Sequence, residues 1–287
     1  MKAVAISLAA ALALAAGAGG AAAGAGGLVI PDYARVANPI VEGPSWEVVQ
    51  EDVDGEGPFL DGEALMSLDA PVQAFDSGAV PFAVRQRPGT GVRIARLTVV
   101  VDENPAPVAA EFEFGPLMGD VSLESRVRYD VYSNLRAIAQ TEDGRRFMVG
   151  RFVQAAGGCS AAVSRDPAVA LATMGEMRLK RFDVANGDAP RMSGAVREAQ
   201  VMIRHPNFTG LQVREGTLDR IDPRFVELVE VFLGEDLLFR MTGGFSISEN
   251  PSFRFRYRDN GADTMTVRAV DTDGAEFKHV FRLAPGA

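Results

Sequence analysis

The reactive chemistry available to this sequence is concentrated in very few side chains. It contains one cysteine, Cys159, and two histidines, His205 and His279. A single thiol closes no intramolecular disulfide, and this inventory assembles no thiolate- or imidazole-rich metal cluster. The carboxylates show no spacing that marks a glycosidase pair. What remains is one oxidisable, nucleophilic sulfur. It sits in Val153-Gln154-Ala155-Ala156-Gly157-Gly158-Cys159-Ser160-Ala161-Ala162, with small residues on both sides. The Gly157-Gly158 pair frees the backbone, a geometry suited to a thiol presented on an arm. No histidine neighbours it and no Cys-x-x-Cys pair exists, so a preorganised catalytic site is not expected. From the residues alone three readings stand: an exposed functional thiol, an inert core cysteine, or an incidental linker thiol.

The other candidates read more plainly. His205 precedes Pro206-Asn207-Phe208-Thr209-Gly210 and suits a turn histidine that orients the chain. His279 alternates with Phe277 and Phe281, which suits a satisfied sheet position. Arg254, Arg256 and Arg258 share one face of a strand, where they either steer an acidic partner or pair with acids of this chain. Solvation or internal pairing is the expected role.

The elements that position these residues are strands. Val121, Leu123, Val127, Tyr129 and Val131 share one parity, with Glu124, Arg126, Arg128 and Asp130 on the other. A period of two puts these sets on opposite faces, one buried and one wet. Further strands are expected over 93–101, 111–114, 136–139 and 147–153, the last two flanking an Asp143-Gly144 hairpin turn. The same grammar returns at 199–204, 224–233, 237–241, 253–258, 264–270 and 277–283, with turns at Asn260-Gly261 and Asp273-Gly274. Short helices are expected at 45–50, with Ser45 as cap, and at 167–174. The 30 glycines and 16 prolines fit such a turn-rich chain. The expectation is an all-β protein of two β-sandwiches joined by a glycine-containing linker.

Charge and leader narrow the setting. A net charge of −9 gives no general grip on nucleic acid or anionic membranes. Met1-Lys2 followed by an Ala/Leu run to Ala16 has the parts of a secretory signal, with cleavage points after Ala18 or Ala23. The run is too short and glycine-broken for a permanent span. The expected address is the periplasm, an oxidising compartment in which an odd cysteine must be buried or used.

Several motifs carry a resemblance to a family. They are Leu68-Asp69-Ala70-Pro71, Ser77-Gly78-Ala79-Val80-Pro81-Phe82, Asp102-Glu103-Asn104-Pro105-Ala106-Pro107, Ser125-Arg126-Val127-Arg128, Asp143-Gly144-Arg145 and Gly157-Gly158-Cys159. In the second half they are Ile203-Arg204-His205-Pro206-Asn207-Phe208-Thr209-Gly210, Ser248-Glu249-Asn250-Pro251 and Phe253-Arg254-Phe255. Across about residues 45–160 and 175–284 the chain resembles a SoxYZ-type sulfur-compound carrier with both domains fused. More narrowly, it is similar to SoxYZ-like carriers associated with quinoprotein dehydrogenases.

The resemblance implies two immunoglobulin-like β-sandwiches. Together with the leader read as a signal peptide (1–23) and an N-terminal extension with a possible short helix (24–63), it divides the chain into a SoxY-like sandwich (64–156), a cysteine-bearing arm and linker (157–174) and a SoxZ-like sandwich (175–284). It makes Cys159 the covalent attachment point for a sulfur intermediate, Gly157 and Gly158 the flexible arm, and His205 and Pro206 structural or partner-facing residues. It implies a carrier without its own active site, cofactor or metal. Its partners would be sulfur-oxidation enzymes or a periplasmic quinoprotein dehydrogenase and cytochrome system. The alternative is a noncatalytic interaction or maturation module with no covalent cargo. One departure stands out: the SoxY arm ends the chain as Gly-Gly-Cys-Gly-Gly, whereas Ser160-Ala161-Ala162 and a second domain follow Cys159 here.

Overall fold

The computed structural model describes residues 38–53, 55–162, 167–182, 194–214, 216–217 and 219–283. The expected leader, with Ala18 and Ala23, lies outside them. Among the described residues no helix is long and apolar enough to cross a membrane.

The chain is mostly β-sheet. The first half supplies β1 (Phe59–Asp61), β2 (Met66–Asp69), β3 (Val80–Gln86), β4 (Ile94–Val101), β5 (Val108–Phe114), β6 (Ser122–Val127), β7 (Ser133–Thr141) and β8 (Arg146–Val153). The second supplies β9 (Met177–Arg181), β10 (Val196–Ile203), β11 (Val226–Leu233), β12 (Asp236–Gly243), β13 (Ser252–Arg258), β14 (Thr264–Asp271) and β15 (Glu276–Arg282). Two short helices, α1 (Ser45–Val49) and α2 (Pro167–Ala172), accompany them. The N-cap of α1 is Pro44, without a side-chain capping bond, so Ser45 is the first helical residue and not the expected cap. The expected turns are glycine turns with positive φ: +84° at Gly144, +85° at Gly261 and +77° at Gly274.

These strands form two sheets, and both run through both halves. A nine-stranded sheet has the order β1-β8-β7-β4-β5-β12-β11-β14-β15, and a six-stranded sheet the order β2-β3-β6-β13-β10-β9. The halves are therefore joined strand to strand. Antiparallel β5 and β12 pair Phe114 with Phe239 and Phe112 with Met241, and β6 and β13 pair Leu123 with Phe255. Where the sequence reading expects two sandwiches linked by a connection, the structure has continuous sheets across the junction.

The core lies between the sheets and runs without a break through this joint. Phe112, Phe239, Phe253 and Phe255 are all essentially inaccessible. Phe112 meets Phe239 at 6.1 Å and Phe253 edge-on at 6.0 Å, and Phe239 meets Phe255 at 5.1 Å. Burying each such ring contributes about 1.5–3 kcal/mol, so the joint ranks among the strongest parts of the fold. The outer face of the nine-stranded sheet is covered locally by the N-terminal segment, where Val49 and Val53 pack on Val100 and Ile138. Trp46 there lies under the buried Arg136 guanidinium at 4.1 Å.

A candidate covalent site at the junction of the halves

The site begins where β6 stops. The expected strand over 121–131 ends at Val127, because Arg128 then donates its backbone N–H to Ser246 O (2.7 Å) and Tyr129 to Ser77 O (2.9 Å). This exit draws the Arg128 side chain inward. Alternation assigns Arg128 and Glu124 to a wet face, yet Arg128 is 2% exposed and Glu124 9%. Asn104 secures the exit: its amide donates to Arg128 O (2.7 Å) and Ser246 Oγ (3.0 Å), and its carbonyl oxygen accepts from Asp130 N (2.9 Å).

The cysteine segment docks on this exit. After β8, Gly157 N donates to Asp130 O at 2.8 Å and Gly158 N to Tyr129 O at 2.7 Å. Gly157 adopts φ +81°, a conformation glycine takes without steric cost. Gly158 lies so flat on the chain that a Cβ there would come within 2.0 Å of Ser77 O. The segment is a docked turn in this conformation, and Cys159 has 0% exposure. The expectation of an exposed thiol on a free arm is thus corrected: Gly158 serves close approach, and the sulfur faces inward.

The second half closes over it. The Thr209 hydroxyl donates to Cys159 O at 2.6 Å. Arg128 donates from Nη1 to Gly158 O (3.3 Å) and from Nη2 to Pro206 O (3.3 Å) and Asn207 O (3.1 Å), while its Nε is buried without a partner. One guanidinium thereby ties the cysteine turn to the second-half motif. Burial pushes the Cys159 thiol up to about 12, with Asp130 adding to the rise and Arg128 opposing it. Burial also lowers the pKa of Arg128 itself, against the nearby Glu249, Cys159 and Asp76. In this state the sulfur is a neutral thiol, poorly nucleophilic and shielded from solution oxidants.

His205 and Pro206 are both buried, so neither presents a surface to a partner. His205 Nδ1 accepts from Asn207 N at 3.1 Å, and its Nε2 lies 3.4 Å from Asp271 Oδ2. Burial lowers its pKa, while Asp271 and Asn207 pull the other way. Arg224 donates to the same Asp271 oxygen at 2.9 Å. Asn207, at φ +46°, donates to Ile247 O and Ser248 O and accepts from Val226 N. This network gives the loop a fixed shape from which Thr209 reaches the cysteine turn. His279 instead lies exposed on edge strand β15, beside Phe281.

Two aspects of the site escape sequence reasoning. Arg128 and Thr209 stand inside quoted motifs, but only the early exit of β6 and the packing of the halves give them roles. An apolar rim also flanks the turn. Phe75 is 87% exposed, Val131 46% and Tyr132 55%, and the Ser77–Tyr129 bond brings their two segments side by side.

With this geometry established, family comparison is informative. The model for "Sulfur oxidation protein SoxY" matches residues 50–159, ending on the cysteine itself, and that for "Sulphur oxidation protein SoxZ" matches residues 184–282. The chain carries a SoxY-like domain and a SoxZ-like domain in one polypeptide. SoxYZ-type carriers are noncatalytic, and among the described residues no group of three or more His, Cys, Asp or Glu is placed to hold a metal ion. No curated protein matches the chain.

Among solved structures, it is similar to the sulfur carrier protein SoxY from Chlorobium limicola f thiosulfatophilum. That match has 21% identity and a TM-score of 0.31, covering 38% of this chain and 92% of that one. A β-glycosidase from Bacteroides vulgatus matches with 12% identity and a TM-score of 0.23, covering 76% of this chain and 24% of that one. Likeness this weak carries no conclusion about activity.

Proposed function

We propose that this SoxYZ-like protein is a periplasmic carrier. It holds a sulfur-containing intermediate covalently on Cys159 and presents it to partner enzymes, which belong to a quinoprotein dehydrogenase system. The observation that carries the proposal is the position of the lone sulfur at the last residue of the SoxY match, on a turn that few bonds hold down. Loading forms an S–S bond: the Cys159 thiol and thiosulfate join, releasing one proton and passing two electrons to an oxidising partner. No oxidant is needed from the carrier itself.

The closed turn sets the order of events. Opening it breaks two backbone bonds, the Thr209 bond and the long Arg128–Gly158 bond. Each contributes about 0.5–1.5 kcal/mol net, so local opening lies below global unfolding. The closed state then protects the thiol between transfers, and the apolar rim of Phe75, Val131 and Tyr132 supplies surface for a partner's entrance.

Burial of the thiol is also the observation that favours the second reading, an interaction or maturation module without covalent cargo. Two experiments separate them. Intact-mass measurement of the protein isolated from its own periplasm should show a reductant-labile addition on the Cys159 peptide. Cys159→Ser should abolish partner-pathway function; full function in that variant would leave only the second reading. Recovery of the protein in a cytoplasmic fraction, with its leader intact, would overturn the compartment.

A further inference from the structure

The outward face of the six-stranded sheet is basic, although the whole chain carries −9. Strand register defines this face. Arg254 pairs with Glu124 on one side and Gln200 on the other, Gln200 with Lys180, Met202 with Arg178, and Arg126 with Pro81. Asp69, Glu124, Glu176 and Glu198 are its carboxylates, and they are taken up by Arg85, Arg204, Arg254 and Arg256. Four cations remain without a carboxylate among the described residues. Arg178, Lys180 and Arg258 are exposed, and Arg126 is half-buried, donating only to Asn250 O.

Two of these four, Arg126 and Arg178, line a groove of about 480 Å³ together with the paired Arg204 and Glu176 and the paired Arg254 and Glu124. This groove adjoins the cysteine turn along two strands. Two residues beyond Arg126, Arg128 donates to Gly158 O; two residues beyond Arg204, Pro206 accepts from Arg128.

We infer that this face is a docking surface for an acidic protein. Its breadth, from Arg258 at one end of β13 to Arg178 beside the groove, exceeds any small anion. The large apolar groups of the face are Val196, Met202 and Phe182, and the Phe182 ring is covered by Arg254 at 3.9 Å and Lys180 at 4.7 Å, so the face offers no continuous apolar patch to insert into a bilayer. At physiological salt, charges beyond about 8 Å are screened, so a partner approaching this face meets its local excess of cations and not the acidic whole. Such a face fixes orientation and encounter rate more than final affinity, and this orientation places the partner next to the turn that bears Cys159. The inference does not rest on covalent carriage.

Poly-L-glutamate serves as the acidic polypeptide probe on the full-length mature chain. Wild type should bind it with an affinity that falls as salt rises, and the Arg178→Glu/Arg258→Glu double variant should bind about tenfold more weakly or worse. Arg282→Glu, on the exposed edge of the other sheet, should bind like wild type, as should Cys159→Ser. Absence of wild-type binding at low salt, or an equal loss in Arg282→Glu, would overturn the inference. Tighter binding to phosphatidylglycerol vesicles than to poly-L-glutamate would assign the face to a lipid surface instead. Concentration-dependent self-association abolished by the double variant would assign it to a second copy of this chain. Both outcomes overturn the acidic-protein proposal.

Discussion

The hydroxyl of Thr209 holds the carbonyl oxygen of Cys159 at 2.6 Å, joining the second half to the turn that ends the SoxY-like match. Replacing the hydroxyl with a methyl in Thr209→Val removes the donor and leaves a buried carbonyl unsatisfied. Loss of one such bond is worth about 1 kcal/mol, or roughly fivefold in a local opening equilibrium. The expected outcome is roughly fivefold faster alkylation of Cys159 under native conditions, measured by mass spectrometry at limiting iodoacetamide. An unchanged rate would show that Thr209 does not control the turn.

The two glycines before the cysteine should respond differently. At Gly158 a Cβ would overlap the Ser77 backbone, whereas at Gly157 a Cβ meets nothing within 4 Å. Gly158→Ala therefore cannot keep the docked turn and should expose the thiol permanently, with alkylation approaching the rate of the denatured chain. Gly157→Ala suffers only the strain of φ +81°, about 1 kcal/mol, and should accelerate alkylation modestly. Equal rates in the two variants would contradict the docked geometry.

That contrast also shows how much of the site was legible beforehand. The sequence marks Cys159 as the lone thiol and the glycine pair as special, while leaving an exposed functional thiol, a core cysteine and a linker thiol all open. It does not disclose that Gly158 is needed for contact and not for swing, since both uses require the same missing side chain. Arg128 is misplaced for a related reason. Alternation is a property of a continuing strand, and the chain leaves β6 at Val127, so parity beyond that point carries no information.

Many of the strands were readable: Thr264–Asp271 and Arg146–Val153 begin or end within a residue of expectation, whereas Phe59–Asp61, Met66–Asp69 and Val80–Gln86 fall where no strand bounds were expected. Their pairing was not, because nothing local to β5 states that its neighbour will be β12. This pairing makes a prediction of its own. With Phe112, Phe239, Phe253 and Phe255 interlocked across the joint, the two halves should unfold together. Urea titration followed by tryptophan fluorescence, which reports Trp46 in the first half, and by far-ultraviolet circular dichroism should give coincident single transitions. Two separated transitions would mean that the halves are energetically independent despite their shared sheets.

The buried thiol links this architecture to pH. Its folded pKa is raised to about 12 from an ordinary 9.0, first by burial, then by Asp130, against the opposing pull of Arg128. Below pH 9 the thiol is protonated whether the turn is closed or open, and closure is undisturbed. Between about pH 9 and 12 the open or unfolded chain releases its proton while the closed state retains it. The closed state thus binds more protons, and its stability falls as pH rises through that window. Cys159→Ser lacks this titration. The difference in urea midpoint between wild type and Cys159→Ser should accordingly be flat from pH 7 to 8.5 and shift against wild type above pH 9. Over the same range the native alkylation rate should climb more steeply than that of a free thiol, because ionisation also favours opening. A difference that stays flat to pH 10.5, with a thiolate titrating like free cysteine, would mean that the sulfur is solvated in solution and that the closed turn is not its resting state.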